Sequence, residues 1–361
     1  MNVRSLRKVG LATLVLAMLT ALACSDGSSP LEPPPIDDGG DNPPPPPAAD
    51  YEGYLMYAVD LNNRLLLFGS ESPTTISKSM KITGLPILNR IVGIDIRPST
   101  GELYGVGNDS RVYIIDTETG EATGVGSAFS PKIASFFDIH FGMGFDPVTE
   151  RIRLIAAESG GNWSIDPDDG TATLGPNAHY AVGDVHEGRH PMIMGLAYTP
   201  PSGSAMDATA LGTAAARLMA MGPCEDLMWA IDAEIAEMIG SCDPDEGDFT
   251  SLGPLPGFTA VAGCGELKFD PGQPGGLWLS IVEGANYVNS LGTVDPETGL
   301  IKWRGSVPDE SPIQAIAFDP NAPFKTASLS VSSGAALSVA PGARDVMAAS
   351  ASGRLQSCTA Q

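Results

Sequence analysis

The sequence predicts an all-β fold, a β-propeller of five four-stranded blades, and three observations point to it. The first is a motif that recurs five times, a short apolar strand that closes with a polar residue and a proline. The successive prolines are 49, 53, 71 and 49 residues apart and are Pro98, Pro147, Pro200, Pro271 and Pro320. A period near fifty residues is typical of a propeller or solenoid built from one repeated unit.

The second observation is that four strand signals fit within one period. The apolar segment 91–97 is followed by strand signals at 103–106, 111–115 and 122–126, with turns rich in Gly, Asn and Asp between them. The order returns at 152–156, 163–165 and 172–174, and again at 277–282, 291–294 and 300–303. Four strands joined by tight turns make one propeller blade.

The third observation concerns the two ends of the domain. Residues 55–59, 64–68 and 80–82 give three strands without a leading strand, and 313–318 gives a leading strand without a blade. Pairing them completes a fifth blade and covers strand edges that would otherwise stay open. The long fourth period leaves a six-bladed ring as the alternative, although we expect its alanine-rich stretches 208–220 and 230–238 to belong to one blade.

Residues 1–23 have the pattern of an export signal. Arg4, Arg7 and Lys8 precede an apolar run at 9–19, which is too short to span a bilayer because a spanning helix needs about twenty residues. The segment ends in alanine and Cys24, and this resembles the bacterial lipoprotein signal, in which the cysteine is lipidated. We therefore expect an exported protein held at a membrane of the bacterial cell envelope, with ordinary secretion and cleavage near Ala23 as the alternative.

Composition divides the rest of the chain into three parts. Residues 24–50 are rich in proline and glycine, which is typical of an extended linker without a core. The propeller domain is expected at 51–323. Residues 324–361 are rich in alanine and serine and predict a largely disordered tail.

Charge excludes one class of partner. The chain has 20 basic and 43 acidic residues, a net charge of −23, and loss of the signal leaves 17 basic residues and a charge of −26. Nucleic-acid binding needs a basic stripe that releases counterions, so we expect no nucleic acid. The prediction is a monomer that touches the membrane only through its N-terminal lipid.

The cysteines predict a disulfide. With Cys24 lipidated, the oxidising environment of an exported chain permits pairing among Cys224, Cys242, Cys264 and Cys358. Four cysteines allow three connectivities. We favour Cys224 with Cys242, because both fall within one repeat.

Several segments together resemble the bacterial secreted domain-of-unknown-function family 4394. They are the runs 93–107, 111–120, 144–147, 150–153, 180–184 and 190–198. The sequence departs from the family at Ser164, where arginine is expected, and in the unit that carries the cysteines. The resemblance implies a propeller-like exported domain, and it implies no accepted activity and no catalytic residues.

The candidate site comes from the four histidines, which lie within 51 residues of one another. His140 and His190 stand four and five residues before the glycines of consecutive repeats, so we expect them side by side at the mouth of the channel. Imidazole and carboxylate together suit Zn²⁺ or another transition metal. The predicted ligand-binding residues are Asp138, His140, Asp184, His186, Glu187 and His190, and the predicted metal ligands are His140, His186 and His190. The alternative is that these are exposed polar loop residues.

Three aspartates at predicted turns, which we call the turn acids, have a structural explanation. Asp116, Asp166 and Asp295 each precede a glycine by four residues. An aspartate accepts backbone hydrogen bonds at the start of a turn, and the glycine supplies the positive φ. We therefore interpret these motifs as turns, and the acidic segment 243–248 does not have the spacing of a Ca²⁺ loop.

The function predicted from the sequence is a non-enzymatic binding or scaffold propeller at the cell envelope. The chain contains no nucleophile elbow, phosphate-binding loop or zinc-protease motif. Its ligand is expected to be a protein, peptide or glycan, bound at the connectors 126–141 and 175–193, with no cofactor other than a divalent metal. The alternative is a metal-assisted hydrolase or lyase that acts on extracellular or envelope polymers.

Overall fold

The computed structural model describes residues 51–133, 140–199, 227–256, 258, 265–269, 277–283, 288–308, 311–319, 321–322 and 325. These residues form 21 β-strands and contain no helix, so none of them belongs to a helix that could cross a membrane. Five sheets hold the strands, and all but one of the strand pairings are antiparallel.

The five sheets are the blades of the predicted propeller. Blade 1 contains β4 (Ile91–Ile96), β5 (Leu103–Gly107), β6 (Arg111–Ile115) and β7 (Ala122–Val125). Blade 2 contains β8 (Phe141–Phe145), β9 (Ile152–Ala156), β10 (Asn162–Ile165) and β11 (Ala172–Leu174). Blade 3 contains β13 (Ile193–Tyr198), β14 (Met228–Asp232), β15 (Glu237–Ser241) and β16 (Asp248–Pro254), with the short β12 (His179–Tyr180) added outside β16. Blade 4 contains β17 (Gly265–Phe269), β18 (Leu277–Glu283), β19 (Val288–Val294) and β20 (Ile301–Val307). Blade 5 contains β21 (Ile313–Phe318), β1 (Leu55–Asp60), β2 (Arg64–Gly69) and β3 (Ser72–Lys81).

The first strand of each blade faces the axis, and these five inner strands contact one another in a closed cycle. The order around the ring is β21, β4, β8, β13 and β17, and β17 returns to β21. The five-bladed prediction is confirmed, and the six-bladed alternative is wrong. The long fourth period adds no blade because its extra residues lie between Tyr198 and Met228, which pair directly as neighbours in blade 3.

Blade 5 closes the ring as predicted from the two ends of the domain. β21 pairs antiparallel with β1, from Met56 opposite Phe318 to Asp60 opposite Ile313. Trp278 of blade 4 packs against Phe318 with ring centroids 5.7 Å apart. Residues more than 250 positions apart thus share one sheet and one core, which leaves no open inner edge between the first and last blades.

The alanine-rich stretch 230–238 belongs to blade 3, as predicted, where it spans the end of β14 at Asp232 and the start of β15 at Glu237. One outer strand differs from its predicted form. β3 covers ten residues, although only its last residues gave a strand signal. It is the outermost strand of its blade and largely exposed, so its serines and threonines show no apolar alternation. The stretch 208–220 lies outside the described residues.

Close packing of the inner strands depends on glycine. Gly195 has a φ of 77°, and a Cβ atom there would lie 2.4 Å from the backbone nitrogen of Leu267 in blade 4. A Cβ at Gly142 would lie 3.1 Å from the carbonyl carbon of Gly195. A larger residue at these points would push neighbouring blades apart, so the glycines set the narrow radius of the ring.

The ring has two faces, which we name by their loops. The connector face carries the inter-blade connectors 82–90, 126–133 and 175–192 and the turns 61–63, 108–110, 157–161 and 233–236. The turn face carries the turns 97–102, 116–121, 146–151, 166–171 and 295–300. The ends of the described domain lie together on the turn face, where Gly53 forms a bridge with Lys325.

The turn acids adopt the predicted geometry. The Asp116 carboxylate accepts hydrogen bonds from the backbone nitrogens of Glu118 and Thr119, each 2.8 Å long. Gly120 has a φ of 76°. These backbone hydrogen bonds lower the pKa of Asp116, so the carboxylate is held in its charged form by the turn itself. Asp166 and Asp295 make corresponding bonds.

Cys242 takes part in a disulfide, and its partner lies outside the described residues. Met228, four residues after Cys224, pairs with Ser241, which is next to Cys242. Cys264, by contrast, directly precedes β17, whose first residue lies on the connector face. This placement favours the predicted Cys224–Cys242 pair, which stays a prediction.

Peptide mapping under non-reducing conditions tests that pair. We expect one linked peptide that contains Cys224 and Cys242. Replacing Cys224 with serine should cost about 2–4 kcal/mol of unfolding free energy, because the crosslink constrains the unfolded chain. A linked peptide that joins Cys242 to Cys264 or Cys358 would contradict the assignment.

Candidate functional site

The connector between β11 and β13 builds a cleft at the outer edge of blade 3. It first runs parallel to β16 as β12, with His179 opposite Asp248 and Tyr180 opposite Phe249. The chain then leaves the strand edge and loops back toward β13. The space left open has a volume of about 500 Å³ and is lined by Val182, Gly183, Asp184, Val185, Glu237, Thr250, Ser251 and Gly253.

Asp184 anchors the connector to blade 3. Its Oδ2 accepts a hydrogen bond from the backbone nitrogen of Ser251 at 2.8 Å, and its Oδ1 accepts one from the Ser251 hydroxyl at 3.1 Å. The same Oδ1 accepts the backbone nitrogen of His186 at 2.8 Å. The predicted ligand-binding carboxylate therefore forms one wall of the cleft and fixes its shape.

His186 lies behind this wall. Its Nε2 is 3.1 Å from Glu237 Oε2, and its ring centroid is 5.1 Å from that of Tyr180. The Tyr180 hydroxyl donates to Asp232 Oδ2 at 2.7 Å. Burial, together with this hydrogen bond, raises the pKa of Tyr180, so the hydroxyl remains a donor. Contacts with Asp232 and Glu237, which flank the β14–β15 turn, thus fix the base of the connector.

Glu187 closes the tip of the loop. Its Oε2 accepts a hydrogen bond from the backbone nitrogen of Gly183 at 2.7 Å. Val182 and Val185 on this tip are 90% and 83% exposed. Burial of a large aliphatic side chain is favourable in free energy. Two almost fully exposed valines beside a cleft therefore offer apolar contacts to a ligand.

His140 and His190 both contact the β9–β10 turn of blade 2. His140 Nδ1 is 2.6 Å from Glu158 Oε1. His190 Nε2 is 2.9 Å from the carbonyl oxygen of Ala157, and its Nδ1 is 3.1 Å from that of Ala178. The two side chains predicted to be neighbours are therefore held by the same turn, and both ring nitrogens of His190 face backbone oxygens.

The described residues bring together no group of three or more His, Cys, Asp or Glu side chains that could hold a metal. His186 contacts the β14–β15 turn of blade 3, whereas His140 and His190 lie at the β9–β10 turn of blade 2. Asp138 lies outside the described residues. The metal prediction for His140, His186 and His190 gains no support from this geometry and stays a prediction.

The central channel holds a set of charged side chains that the sequence reasoning missed. Lys268 on β17 donates to the carbonyl oxygen of Met143 on β8. Its Nζ is 3.4 Å from Asp95 Oδ2 on β4 and 4.0 Å from Glu266 Oε1. Asp95 Oδ2 also accepts the backbone nitrogen of Phe145 at 2.8 Å. The charges therefore tie together inner strands of three different blades.

Glu266 is the most deeply buried of these charges. Its Oε1 accepts the backbone nitrogens of Leu196 and Leu267 at 3.1 and 3.2 Å. Its Oε2 is buried and has no hydrogen-bond partner among the described residues. Burial raises the pKa of Glu266 to about 8, and the nearby Lys268 opposes that rise.

A comparison of the five repeats could have revealed these charges. Counted back from the closing proline, Asp95 and Lys268 occupy the position that Gly144, Ala197 and Ala317 occupy in the other inner strands. Two charged residues among small ones at a position that lines a narrow channel indicate an ion pair. Glu237 gave no such signal, because its relation to His186 depends on the path of the connector.

Exposed large hydrophobic side chains concentrate on the connector face. Ile87 and Leu88 at the tip of the β3–β4 connector are 91% and 94% exposed, and Leu88 has a φ of 70°. The others on this face are Leu61, Leu174, Val182, Val185 and Val288. Away from this face, the described residues expose Val148 and Leu300 on the turn face and Trp303 on β20. Among the residues that the structure describes, the connector face therefore exposes more large hydrophobic side chains than the turn face does.

The comparisons with known proteins identify a family and a fold. The family described as Domain of unknown function (DUF4394) matches residues 64–317. No curated protein matches the chain.

Similar solved structures share low sequence identity with the chain. One is a nidogen/laminin complex, with 11% identity, a TM-score of 0.42, and coverage of 74% of this chain and 98% of that one. A second is a protein of unknown function from Bacteroides caccae, with 10% identity, a TM-score of 0.41, and coverage of 74% and 99%. A third is a virginiamycin B lyase from Staphylococcus aureus with quinupristin, with 12% identity, a TM-score of 0.35, and coverage of 72% and 71%.

Proposed function

The chain belongs to the family described as Domain of unknown function (DUF4394), and we propose its role from the two faces of its own propeller. The protein is a non-enzymatic binding module of the bacterial cell envelope. It is exported, held at a membrane by a lipid on Cys24, and presents its connector face to a partner. Propellers keep a constant scaffold and place recognition on loops, so such a role needs no change in the blades.

The observation that carries this proposal is the unequal character of the two faces. Ile87, Leu88, Val182 and Val185 are more than four-fifths exposed, and all lie on connectors of one face. Each pair of large aliphatic side chains offers apolar area for a partner to bury at the tip of its connector. Leu88 also adopts a positive φ, which is uncommon for a leucine, and such backbone strain tends to occur at functional loops.

Both ends of the described domain lie on the turn face. Tyr51 follows the predicted linker, and Gly53 pairs with Lys325 on the turn face. The described domain therefore begins on the turn face, which leaves the loops of the connector face at the opposite side of the ring.

Photo-crosslinking in the native host tests this role. A crosslinking amino acid would replace Ile87 or Val182 on the connector face, with Val148 and Leu300 on the turn face as matched controls. We expect discrete crosslinked species from the two connector positions and none of them from the controls. The same species from all four positions, or none from the connector positions, would contradict the proposal.

A further inference from the structure

Three charged side chains of the central channel stand together in a largely buried place. Lys268 and Glu266 lie on β17 and are 6% and 0% exposed, and the side chain of Asp95 on β4 is 17% exposed. In the ring of inner strands β21 lies between β17 and β4, so the lysine and the aspartate come from blades that are not neighbours. An amine and a carboxyl group therefore meet across the axis, with little water around them.

Backbone groups hold the amine against the carboxyl group. Lys268 Nζ is 3.4 Å from Asp95 Oδ2, and it also donates to the carbonyl oxygen of Met143. Asp95 Oδ2 accepts the backbone nitrogen of Phe145 at 2.8 Å, and Oδ1 accepts that of Ile96 at 3.0 Å. Such donors would stabilise the negative charge that develops on a carboxyl oxygen when its carbon is attacked. Two reacting groups fixed at this distance also lose little freedom when they react.

Glu266 is placed to carry protons between these two groups. Its Oε1 is 4.0 Å from Lys268 Nζ, and its Oε2 is buried without a hydrogen-bond partner among the described residues. Burial, and to a lesser extent the charge of Asp95, raises the pKa of Glu266 to about 8, so the group is protonated at neutral pH. A protonated carboxyl group can donate from one oxygen while it accepts on the other.

The surroundings favour a neutral product over the ion pair. Two charges removed from water lose much of their solvation, and their mutual attraction repays this loss only in part. An amide between the two side chains carries no charge, and the water that its formation releases can leave for the solvent. The same burial that makes the ion pair costly therefore favours a covalent bond.

We propose that Lys268 and Asp95 form an intramolecular amide bond, with Glu266 as the proton carrier. A proton first passes from the ammonium group of Lys268 to Asp95, which leaves a neutral amine and a neutral carboxyl group. Nζ then attacks Cγ of Asp95 and the new bond forms. Glu266 takes a proton from the nitrogen and gives its own to the departing hydroxyl group, the Cγ–O bond breaks and one water molecule leaves. The reaction needs no oxidant and no further reactant.

The bond would join blades 1 and 4 through the axis of the ring. The ion pair is the form in which the chain first folds, and the amide forms from it afterwards. Without the amide, the ring is closed by the hydrogen bonds between β21 and β1 in blade 5. A covalent link between the inner strands would hold them together even when that pairing opens, and it would restrict the unfolded chain as other crosslinks do. This inference goes beyond the binding role, since it requires no partner.

Peptide mapping of the purified full chain, after reduction and alkylation, tests the bond by mass spectrometry. We expect a branched peptide that joins Lys268 to Asp95 and has the summed mass of the two peptides less one water molecule. Lys268→Arg keeps the positive charge without the amine and should give only unlinked peptides. Lys302→Arg changes an exposed lysine of β20 and should leave the branched peptide in place.

Two further variants test the chemistry of the step. Asp95→Asn should form the same amide with loss of ammonia instead of water, so its branched peptide should have the mass of the wild-type one. Glu266→Gln cannot carry the proton and should slow bond formation after refolding by about tenfold or more.

Three results would count against this account. If the folded wild type gives only unlinked peptides, even after prolonged incubation at neutral pH, the inference is overturned. A bond from Lys268 to Glu266 instead of Asp95 would overturn it as well. Equal rates of bond formation in Glu266→Gln and the wild type would contradict the role of Glu266.

Discussion

Replacing Lys268 with methionine should destabilise the domain by about 3–5 kcal/mol at pH 7. Methionine keeps the length of the side chain but removes the cation that lies 3.4 Å from Asp95 and 4.0 Å from Glu266. It also removes the hydrogen bond to the Met143 carbonyl oxygen. A carboxylate left without its cation in a largely buried site is costly, because surroundings of low polarity solvate its charge poorly. Urea unfolding followed by tryptophan fluorescence measures the loss.

Two further variants separate the lost charge from other effects. Lys302 is exposed on β20, and Lys302→Met should change stability by less than about 0.5 kcal/mol. Adding Asp95→Asn to Lys268→Met should restore part of the loss, because the double variant leaves one buried charge fewer without a partner. If Lys268→Met unfolds at the same urea concentration as Lys302→Met, the channel charges do not hold the inner strands together.

The stability of the domain should also fall as pH rises, through Glu266. Its pKa is raised to about 8 in the folded protein by burial, whereas an unfolded glutamate titrates near 4.3. A folded-state pKa above the unfolded value contributes stability that is complete below about pH 4.3 and is lost as pH rises through about 8. Within this window the slope contributed by Glu266 reaches about 1.4 kcal/mol per pH unit.

Glu266→Gln isolates this contribution from the other acids. The variant cannot ionise, so its stability relative to the wild type should increase steadily from pH 5 to pH 8 and level off near pH 9. Glu102→Gln removes an exposed carboxylate and should give a profile parallel to that of the wild type. Urea unfolding at five pH values measures all three proteins. A constant difference between Glu266→Gln and the wild type would show that Glu266 does not titrate in this window.

Much of the architecture could be predicted because it repeats. The closing Asp-Pro and turn-glycine signals recur in several blades, and each marks a strand end that backbone chemistry fixes locally. The unpaired strand signals at 55–59 and 313–318 were enough to predict closure, because an open inner edge is unfavourable. β3 was predicted too short, since a polar outer strand has no buried face to give alternation.

The site was harder to predict because it depends on contacts between distant segments. His140 and His190 were expected together, and both contact the β9–β10 turn, since equivalent positions of a repeat are brought to the same face. The partners of His186 and Asp184 are Glu237 and Ser251, which lie more than fifty residues away in blade 3. Only the detour of the connector along β16 brings them together, and the two residues of β12 are too few to give a strand signal.

Hydrogen exchange of the whole chain with the partner recovered by crosslinking tests the central claim most directly, namely that the connector face binds. We expect slower exchange in the connectors 82–90 and 181–192 when the partner is bound, with no change in the turns 146–151 and 295–300. Protection confined to those turns, with both connectors unaffected, would contradict the claim.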